Sequence, residues 1–452
     1  MASWYTAFIT KCIFPLQEKL KKHTTLAIFK QLEQSQWQDA ALLAQQQADK
    51  LHRFMTKVYQ DVPYYRQLMQ QHSLTPEHFK HPSDLSQLPF LTKPVISENF
   101  AALKANNATA LKRFNTGGSS GQPLIFLLGN ERVSYDVAQK WRATRWWGVD
   151  IGDKEIVAWG SPIELNAQDK LRIWRDKLFR STLIPAFDMT EQKLLGFLNT
   201  IKKIKPKMLF GYPSVYHLLA KTAKQHNIDM SALGIKVIFV TSERLYPYQR
   251  ELISEVFAAP VANGYGGRDA GFIAHECPHG SMHLSYEDII VEIIDPNGQV
   301  LPNGQSGEIV VTHLATSEFP FIRYRTGDIG TLSTESCSCG RGLPVLEAIE
   351  GRSTDFVVAS DGTMMHGLSL IYILREIPGV EAFRIEQQSL ALTQVQVVWP
   401  QGALPDEVNS KIVSGFKARL GQDVQIAIQQ VDTIAAEKSG KFRYVISKVV
   451  TW

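Results

Sequence analysis

Arg113-Phe-Asn-Thr-Gly-Gly-Ser-Ser-Gly-Gln-Pro123 is the stretch whose reading decides how the rest of this chain is understood. It sets Gly117, Gly118 and Gly121 among Thr116, Ser119 and Ser120, directly before the apolar run Leu124-Ile-Phe-Leu-Leu128. Glycines let the backbone turn tightly and present its N–H groups, and hydroxyls add donors, an arrangement suited to phosphate oxygens. The same composition also suits a plain surface loop. A Walker A loop needs a lysine directly after its last glycine, and Gln122 stands there instead. If this loop cradles phosphates, the fold around it is not that of a P-loop enzyme.

Working outward, residues 1–100 read as mainly helical. Gln45 to Tyr59 carries Leu51, Phe54/Met55 and Val58 at helical spacing, and Val62-Pro-Tyr-Tyr65 ends that helix. Leu88-Pro-Phe-Leu-Thr-Lys-Pro94 reads as an extended connector. From 101 to 351 short β-rich runs (Ile156–Gly160, Met208–Gly211, Val237–Thr241) alternate with helical stretches such as Val133 to Trp147 and Leu245 to Val256. That alternation predicts an α/β domain of largely parallel strands, with ligands at the carboxyl ends of the strands. The turns Gly211-Tyr-Pro-Ser214 and Ser242-Glu-Arg244 fall there. Tyr286 to Leu332 reads as a β-meander, with Asp295-Pro-Asn-Gly298 as one of its turns. Residues 352–452 read as a small α+β domain, with alternation at Val395, Val397 and Trp399, an amphipathic helix at Val408, Ile412, Phe416 and Leu420, and alternation again at Val424, Ile426 and Ile428.

Composition bounds the partners. The 452 residues carry 48 Lys+Arg against 44 Asp+Glu, a net +4, which indicates neither nucleic acid nor an anionic membrane as the main partner. No apolar run reaches the roughly 18 residues that span a bilayer. The N-terminus has Lys11 inside its apolar part and no small-residue cleavage site, so a secretory signal is not expected and a cytoplasmic location is. Its stripe of Trp4/Tyr5, Phe8/Ile9 and Cys12/Ile13, followed by Lys19, Lys21 and Lys22, suits docking onto the protein's own core ahead of a peripheral membrane contact. Four cysteines do not make a disulfide framework.

Four further stretches accompany the glycine loop: Tyr265-Gly-Gly-Arg-Asp-Ala-Gly271, Phe321-Ile-Arg-Tyr-Arg-Thr-Gly-Asp328, Gly351-Arg-Ser-Thr-Asp355 and Lys438-Ser-Gly-Lys-Phe-Arg-Tyr-Val445. In this order and spacing they resemble the adenylate-forming superfamily. The branch they resemble is that of phenylacetate–CoA ligase, and within it the members associated with capsular and exopolysaccharide synthesis. The resemblance implies a large multi-layer α/β adenylation domain followed by a small C-terminal domain on a hinge near Arg352–Asp355. It also implies ATP-dependent activation of a small carboxylic acid to an acyl-adenylate. The acyl group then passes to coenzyme A or to an amine of a sugar or amino acid; a homodimer is common in the branch.

Residue by residue, the resemblance gives Thr116, Gly117, Gly118, Ser119, Ser120, Gly121 and Gln122 to the β/γ-phosphates. Tyr265 goes to the adenine face, with Gly266 and Gly267 allowing close approach, and Ser242, Glu243 and Arg244 line the adenine pocket. Asp328 takes the ribose hydroxyls and Arg352 the ribose or phosphate. Lys441, ahead of its neighbour Lys438, is the mobile lysine that meets the carboxylate and the α-phosphate. The family's aromatic-Gly-x-x-Glu turn holds Mg²⁺ through its glutamate, and this chain has Asp269 there, a methylene shorter but still a hard oxygen ligand. That departure leaves open an alternative, a degenerate nucleotide-binding scaffold in glycan assembly. Arg268 beside it would meet an acidic substrate or serve as a structural ion-pair partner.

Cys277-Pro-His-Gly-Ser-Met-His283 and Cys337-Ser-Cys339-Gly-Arg supply three thiols and a choice of histidines, a Cys₃His set for structural zinc. His275 and His279 are alternatives as the fourth ligand. The resemblance selects His283.

Overall fold

The structure is a computed structural model describing residues 4–116, 124–159, 170–186, 189–352, 356–362, 364–435 and 443–449. It divides into two compact units. The larger comprises Met1–Thr326 and Thr331–Ala348, and the smaller Gly327–Gly330 and the described residues from Ile349 onward. The sequence reading put this boundary between 351 and 352, whereas the units divide three residues earlier, at 348/349.

The N-terminal part is helical: α1 (Trp4–Phe8), a π-helical stretch Ile9–Ile13, α2 (Phe14–Leu20), α3 (Thr25–Ser35), α4 (Ala40–Asp61), α5 (Pro63–Gln71) and α6 (Lys93–Glu98). Pro63 ends α4 and also opens α5 at its first position, where the absent N–H costs nothing. Leu91, in the extended connector, bridges Tyr324, its N–H donating to the Arg323 carbonyl at 3.0 Å.

The strands of the larger unit are β1 (Lys112–Asn115), β2 (Ile125–Leu128), β3 (Glu155–Trp159), β4 (Ser181–Pro185), β5 (Met208–Gly211), β6 (Val237–Thr241), β7 (Val261–Gly267), β8 (Gly271–Glu276), β9 (Met282–Leu284), β10 (Ile289–Ile294), β11 (Ser306–His313), β12 (Tyr324–Leu332) and β13 (Val345–Arg352). β1 and β2 form their own hairpin, and the others make one eleven-stranded sheet in the order β10-β11-β12-β13-β9-β8-β7-β6-β5-β3-β4. The expectation of largely parallel strands needs correcting. Pairing is parallel across β4, β3, β5, β6 and β7, while β7–β8, β8–β9, β9–β13 and β10–β11 are antiparallel. The reason is chain length: a parallel connection needs a crossover of a dozen or more residues, and the turn Arg268–Ala270 is far too short.

Both faces of the parallel part are covered, so its central strands β5 (Met-Leu-Phe-Gly) and β6 (Val-Ile-Phe-Val-Thr) are buried along their whole length and almost wholly apolar. On β6, Ile238 and Val240 pack with Leu194, Leu198, Tyr216 and Phe257 of the surrounding helices. Val237 and Phe239 point the other way, against Ala143 and Val149. Ala143 lies on α7 (Asn130–Trp146), a helix with two fully buried arginines, Arg132 and Arg142.

In the smaller unit β14 (Phe356–Val358) pairs with β15 (Met364–His366). A four-stranded sheet of β16 (Ala382–Ser389), β17 (Leu392–Val398), β18 (Gln425–Gln430) and β19 (Val445–Ser447) runs in the order β18-β17-β16-β19. The helix Asp406–Leu420 buries Ile412, Phe416 and Leu420, the face its spacing predicted. Buried Gln387 ties hairpin to sheet, donating to the Val358 carbonyl at 2.7 Å and accepting from the Val358 N–H at 2.9 Å.

Arg142 Nη1 lies 2.5 Å from Glu287 Oε1, with both side chains almost wholly buried. Replacing one partner strands the other charge away from water. Arg142→Met should therefore lower unfolding stability by about 3–5 kcal/mol, read by urea denaturation followed by circular dichroism.

Candidate active site and metal centre

Register places the predicted residues along one edge. Ala158 pairs with Gly211, Gly211 with Val240, and Thr241 with Gly264. The residues that follow, Tyr212, Ser242 and Tyr265, therefore leave adjacent strands at the carboxyl edge of the parallel sheet, where ligands bind in open α/β sheets. Trp159 stacks on Tyr212 there, ring centroids 4.7 Å apart. Sequence reading had not singled out Trp159; its position at the end of a β-run was the available signal. Ser242 has φ +71°, a left-handed conformation that a non-glycine residue holds only when its surroundings impose it. Glu243 Oε2 accepts from the Ser214 N–H at 3.1 Å, at the start of the helix Pro213–Gln225, so one of its oxygens serves that helix terminus.

The strands on either side of the glycine loop, β1 and β2, pair antiparallel from Lys112↔Leu128 to Asn115↔Ile125. Thr116 closes the loop's base: its N–H donates to the Leu124 carbonyl and its Oγ1 accepts from the Leu124 N–H, both at 3.0 Å. Gly117, Gly118, Ser119, Ser120, Gly121 and Gln122 lie outside the described residues. A hairpin root distinguishes this loop from a strand-to-helix phosphate loop.

From that root a line of rings leads to Asp269. Phe126 meets Phe321 edge-on at 5.7 Å, Phe321 meets Tyr324 at 5.2 Å, and the Tyr324 hydroxyl donates to Asp269 Oδ2 at 2.7 Å. The other carboxylate oxygen accepts from the Ala270 N–H at 3.1 Å. Behind this turn, Arg132 Nη1 and Nη2 donate to the carbonyls of Asp269 and Arg268 at 3.2 and 3.3 Å, while its Nε holds both oxygens of Asp136 at 3.1 Å. Burial raises the Asp136 carboxyl above its ordinary range, with Arg132 opposing the shift. Tyr324 and Arg132 are the orienting groups that sequence reasoning missed. Tyr324 lies inside a quoted motif, but Arg132 is one cation among many on an ordinary helix.

The β7–β8 hairpin requires its glycines. A Cβ on Gly266 would lie 2.1 Å from the Gly271 carbonyl oxygen, and Gly271, at φ +94°, has His313 at 2.9 Å. Tyr265 is half-buried and Arg268 exposed. Asp328 is half-buried on β12, within the segment Gly327–Gly330 of the smaller unit. The backbone of Arg352 ends β13, whereas its side chain, Ser353–Asp355, Lys438 and Lys441 lie outside the described residues.

Cys277, His283, Cys337 and Cys339 converge, with all four ligand atoms within 4.8 Å of one another. Cys277 Sγ is 3.7 Å from Cys337 Sγ, and His283 Nε2 is 3.2 Å from Cys339 Sγ. A tetrahedral zinc with Zn–S of about 2.3 Å spaces its sulfurs by about 3.8 Å, so the set fits that ion. His283 Nδ1 faces the Leu343 carbonyl at 3.2 Å, which fixes the proton on Nδ1 and leaves Nε2 with a free lone pair. The loops are shaped for it: Gly280 and Gly340 adopt left-handed φ of +83° and +81°, and the Cys339 N–H points at Cys337 Sγ at 3.4 Å. Burial holds the His283 imidazole down at about 4, hence neutral, and pushes the Cys277 thiol up to about 11, a cost that a cation would offset. His279 is instead exposed, its ring nitrogen 3.0 Å from Ser338 Oγ, and His275 lies outside the cluster, stacked on Phe272.

Residues 178–317 match the family described as AMP-binding enzyme, and 357–448 match the CapK C-terminal domain. The chain is 24% identical to protein CapK of Staphylococcus aureus, over 89% of each chain. It is 24% identical to a phenylacetate-coenzyme A ligase of Thermus thermophilus, over 84% of this chain and 83% of that one. Among solved structures, 2-hydroxyisobutyryl-CoA ligase in the postadenylation state superposes with a TM-score of 0.72 at 20% identity, covering 92% of this chain and 91% of the other.

Burial, aided by the charge of Arg142, holds His275 down at about 3, so it stays neutral when folded, whereas in the unfolded chain it protonates near 6.5. Below pH 6.5 the unfolded state binds the extra proton. The stability this histidine contributes is thus complete above pH 6.5 and lost as pH falls toward 3. Between pH 7 and pH 5 the loss should be about 2 kcal/mol. Urea denaturation at the two pH values checks it: the pH dependence of His275→Leu should be smaller by that amount.

Proposed function

We infer the reaction of this chain from its membership of the adenylate-forming superfamily, where it belongs to the phenylacetate–CoA ligase-like branch that also holds the CapK-like proteins. It is an AMP-forming ligase. A carboxylate oxygen of a small acid attacks the α-phosphorus of ATP, the bond to the β-phosphate bridge breaks, and pyrophosphate leaves with its electron pair. The resulting acyl-adenylate then passes its acyl group to an acceptor and releases AMP. Catalysis of such a step rests on positioning and charge neutralisation.

The observation that carries this reading is the convergence of Tyr212, Ser242 and Tyr265 on one sheet edge, with Asp269 held on the turn beside them. The Thr116–Gln122 loop cradles the β/γ-phosphates, Tyr265 stacks on adenine with Gly266 beneath it, and Ser242 and Glu243 border the base. Asp328 accepts the ribose hydroxyls and Arg352 approaches the ribose or phosphate. Lys441 supplies the cation in the transition state, where the charge is greatest. Asp269 would hold Mg²⁺, since each of its oxygens keeps a lone pair after bonding Tyr324 and Ala270. The metal would neutralise phosphate charge. The Trp159–Tyr212 stack would wall the acid's pocket. Cys277, His283, Cys337 and Cys339 would hold a structural zinc with no open position.

Two acceptors suit the acyl-adenylate, the thiol of coenzyme A or an amine of a sugar or amino acid. The degenerate scaffold is the weaker reading, because Asp269 is oriented by Tyr324 and Arg132 rather than abandoned.

Acid-dependent exchange of labelled pyrophosphate into ATP, run over a panel of carboxylic acids, should be detectable with at least one acid. It should fall by about 10²–10³-fold in Lys441→Ala with the fold intact. ATP binding without exchange for any acid would return the scaffold reading. The purified protein should contain one zinc per chain by elemental analysis, and Cys337→Ser should lose it with a fall in Tm of more than about 5 °C. Absence of stoichiometric metal would remove the zinc assignment.

A further inference from the structure

The N-terminal apolar stripe divides in two. Tyr5, Ile9 and Phe14 turn inward: Ile9 and Phe14 are buried with Ile151, and the Tyr5 hydroxyl donates to the Leu178 carbonyl at 2.9 Å. The other half remains in solvent. Trp4 is 79% exposed, Phe8 44%, Leu16 56% and Leu20 77%. With exposed Cys12 these residues recur every four positions from 4 to 20. On a plain α-helix of 3.6 residues per turn that spacing drifts around the axis; the wider π turn at Ile9–Ile13 takes up the drift and keeps the stripe on one side.

A second exposed apolar strip lies alongside. The helix Lys170–Leu178 presents Trp174 (72% exposed) and Leu178, and its end is fastened to the N-terminal helix by the Tyr5–Leu178 bond, by Arg180 over the Tyr5 ring at 3.8 Å, and by Phe179 edge-on to Phe14 at 6.2 Å. Among the described residues of the two helices and the turn after the first, the exposed charges are cations: Lys11, Lys19, Lys21, Lys22 and Lys177. Lys21 feels the fields of Arg175 and Lys112 as well as those of Glu18 and Asp176. The acids are already engaged. Glu18 is buried against His23 and Thr25, and Asp176 pairs with Arg175 at 2.5 Å.

We propose that this face, the stripe Trp4–Phe8–Leu16–Leu20 with Trp174 and Leu178, docks on an anionic lipid bilayer as an interfacial helix pair. Aromatic and aliphatic side chains enter the headgroup boundary while flanking lysines meet lipid phosphates. Charge decides against a second copy of the chain as occupant. A two-fold contact would set these lysines against one another, and among the described residues the carboxylates of this face, Glu18 and Asp176, are already engaged. The lysines also distinguish the surface from the scattered apolar residues of any soluble protein.

Flotation of the full-length protein with vesicles tests it. The protein should rise with phosphatidylcholine vesicles containing phosphatidylglycerol and about tenfold less with phosphatidylcholine alone. The double substitutions Leu16→Ser with Leu20→Ser and Lys19→Gln with Lys22→Gln should each reduce binding about tenfold. All four positions are exposed, so Tm and pyrophosphate exchange should not change. No binding to either vesicle, or binding indifferent to both double variants, overturns the proposal. So does a wild-type dimer in light scattering that the leucine variant converts to monomer without vesicle binding, which would assign the face to a second copy.

Discussion

Two guanidinium groups wholly inside the protein, Arg132 and Arg142 on α7, are the constraint that the larger unit is built to satisfy. A buried cation must find acceptors, and each arginine draws them from distant chain segments. Arg132 takes the carbonyls of Arg268 and Asp269 together with Asp136. Arg142 takes Glu287 and Gln139. Ten residues apart, about 15 Å along a helix, they fix the β7–β8 turn carrying Asp269 at one place and the start of the β-meander at another. Glu287 is also shared with the Ser35 hydroxyl at 2.7 Å, which brings α3 into the same network.

The carboxyl end of α7 continues this role at the metal centre. Trp146 lies edge-on to His283 with centroids 5.6 Å apart, and its indole N–H donates to Gln36 at 2.7 Å. Arg341, just past the knuckle, reaches the same Gln36 oxygen at 3.2 Å and lies over the Trp37 and Trp146 rings. One helix thus braces the turn carrying Asp269 and the histidine of the zinc set.

Much of this was legible in the chain. The helices at 40–61, 130–146 and 406–420 follow apolar spacing, and β5 and β6 follow short apolar runs, because periodicity records which side of an element meets the core. The Cys₃His set was legible too, since few other uses bring thiols and a histidine together at such spacings. The β-meander from Tyr286 was read, but the onset of antiparallel pairing at β7–β8 was not, although the short turn between those strands stood in the sequence. Strand direction depends on which edges pair, and pattern alone does not state that. Glu243 shows the same limit: the turn that carries it was legible at the end of a β-run, while its bond to the Ser214 N–H depends on a strand-to-helix turn 29 residues earlier.

What the sequence by itself determined is the chemistry available: a glycine-and-hydroxyl loop without a lysine, an aspartate in an aromatic-Gly-x-x-Asp turn, and three thiols with a choice of histidines. These are properties of residue types and spacing, and they survive without coordinates. Only the tertiary structure decided which groups act together. It selected His283 over His275 and His279 as the histidine beside the three thiols: its Nε2 lies 3.2 Å from Cys339 Sγ, whereas His275 stacks on Phe272 and His279 meets Ser338. It put Tyr324 on Asp269 and Arg132 behind it, and it divided the N-terminal stripe into a docked half and an exposed half. The physical reason is common to all three. Hydrogen bonds and burial are set by distances between segments far apart in the chain, and local sequence fixes only the directions in which its own side chains can point.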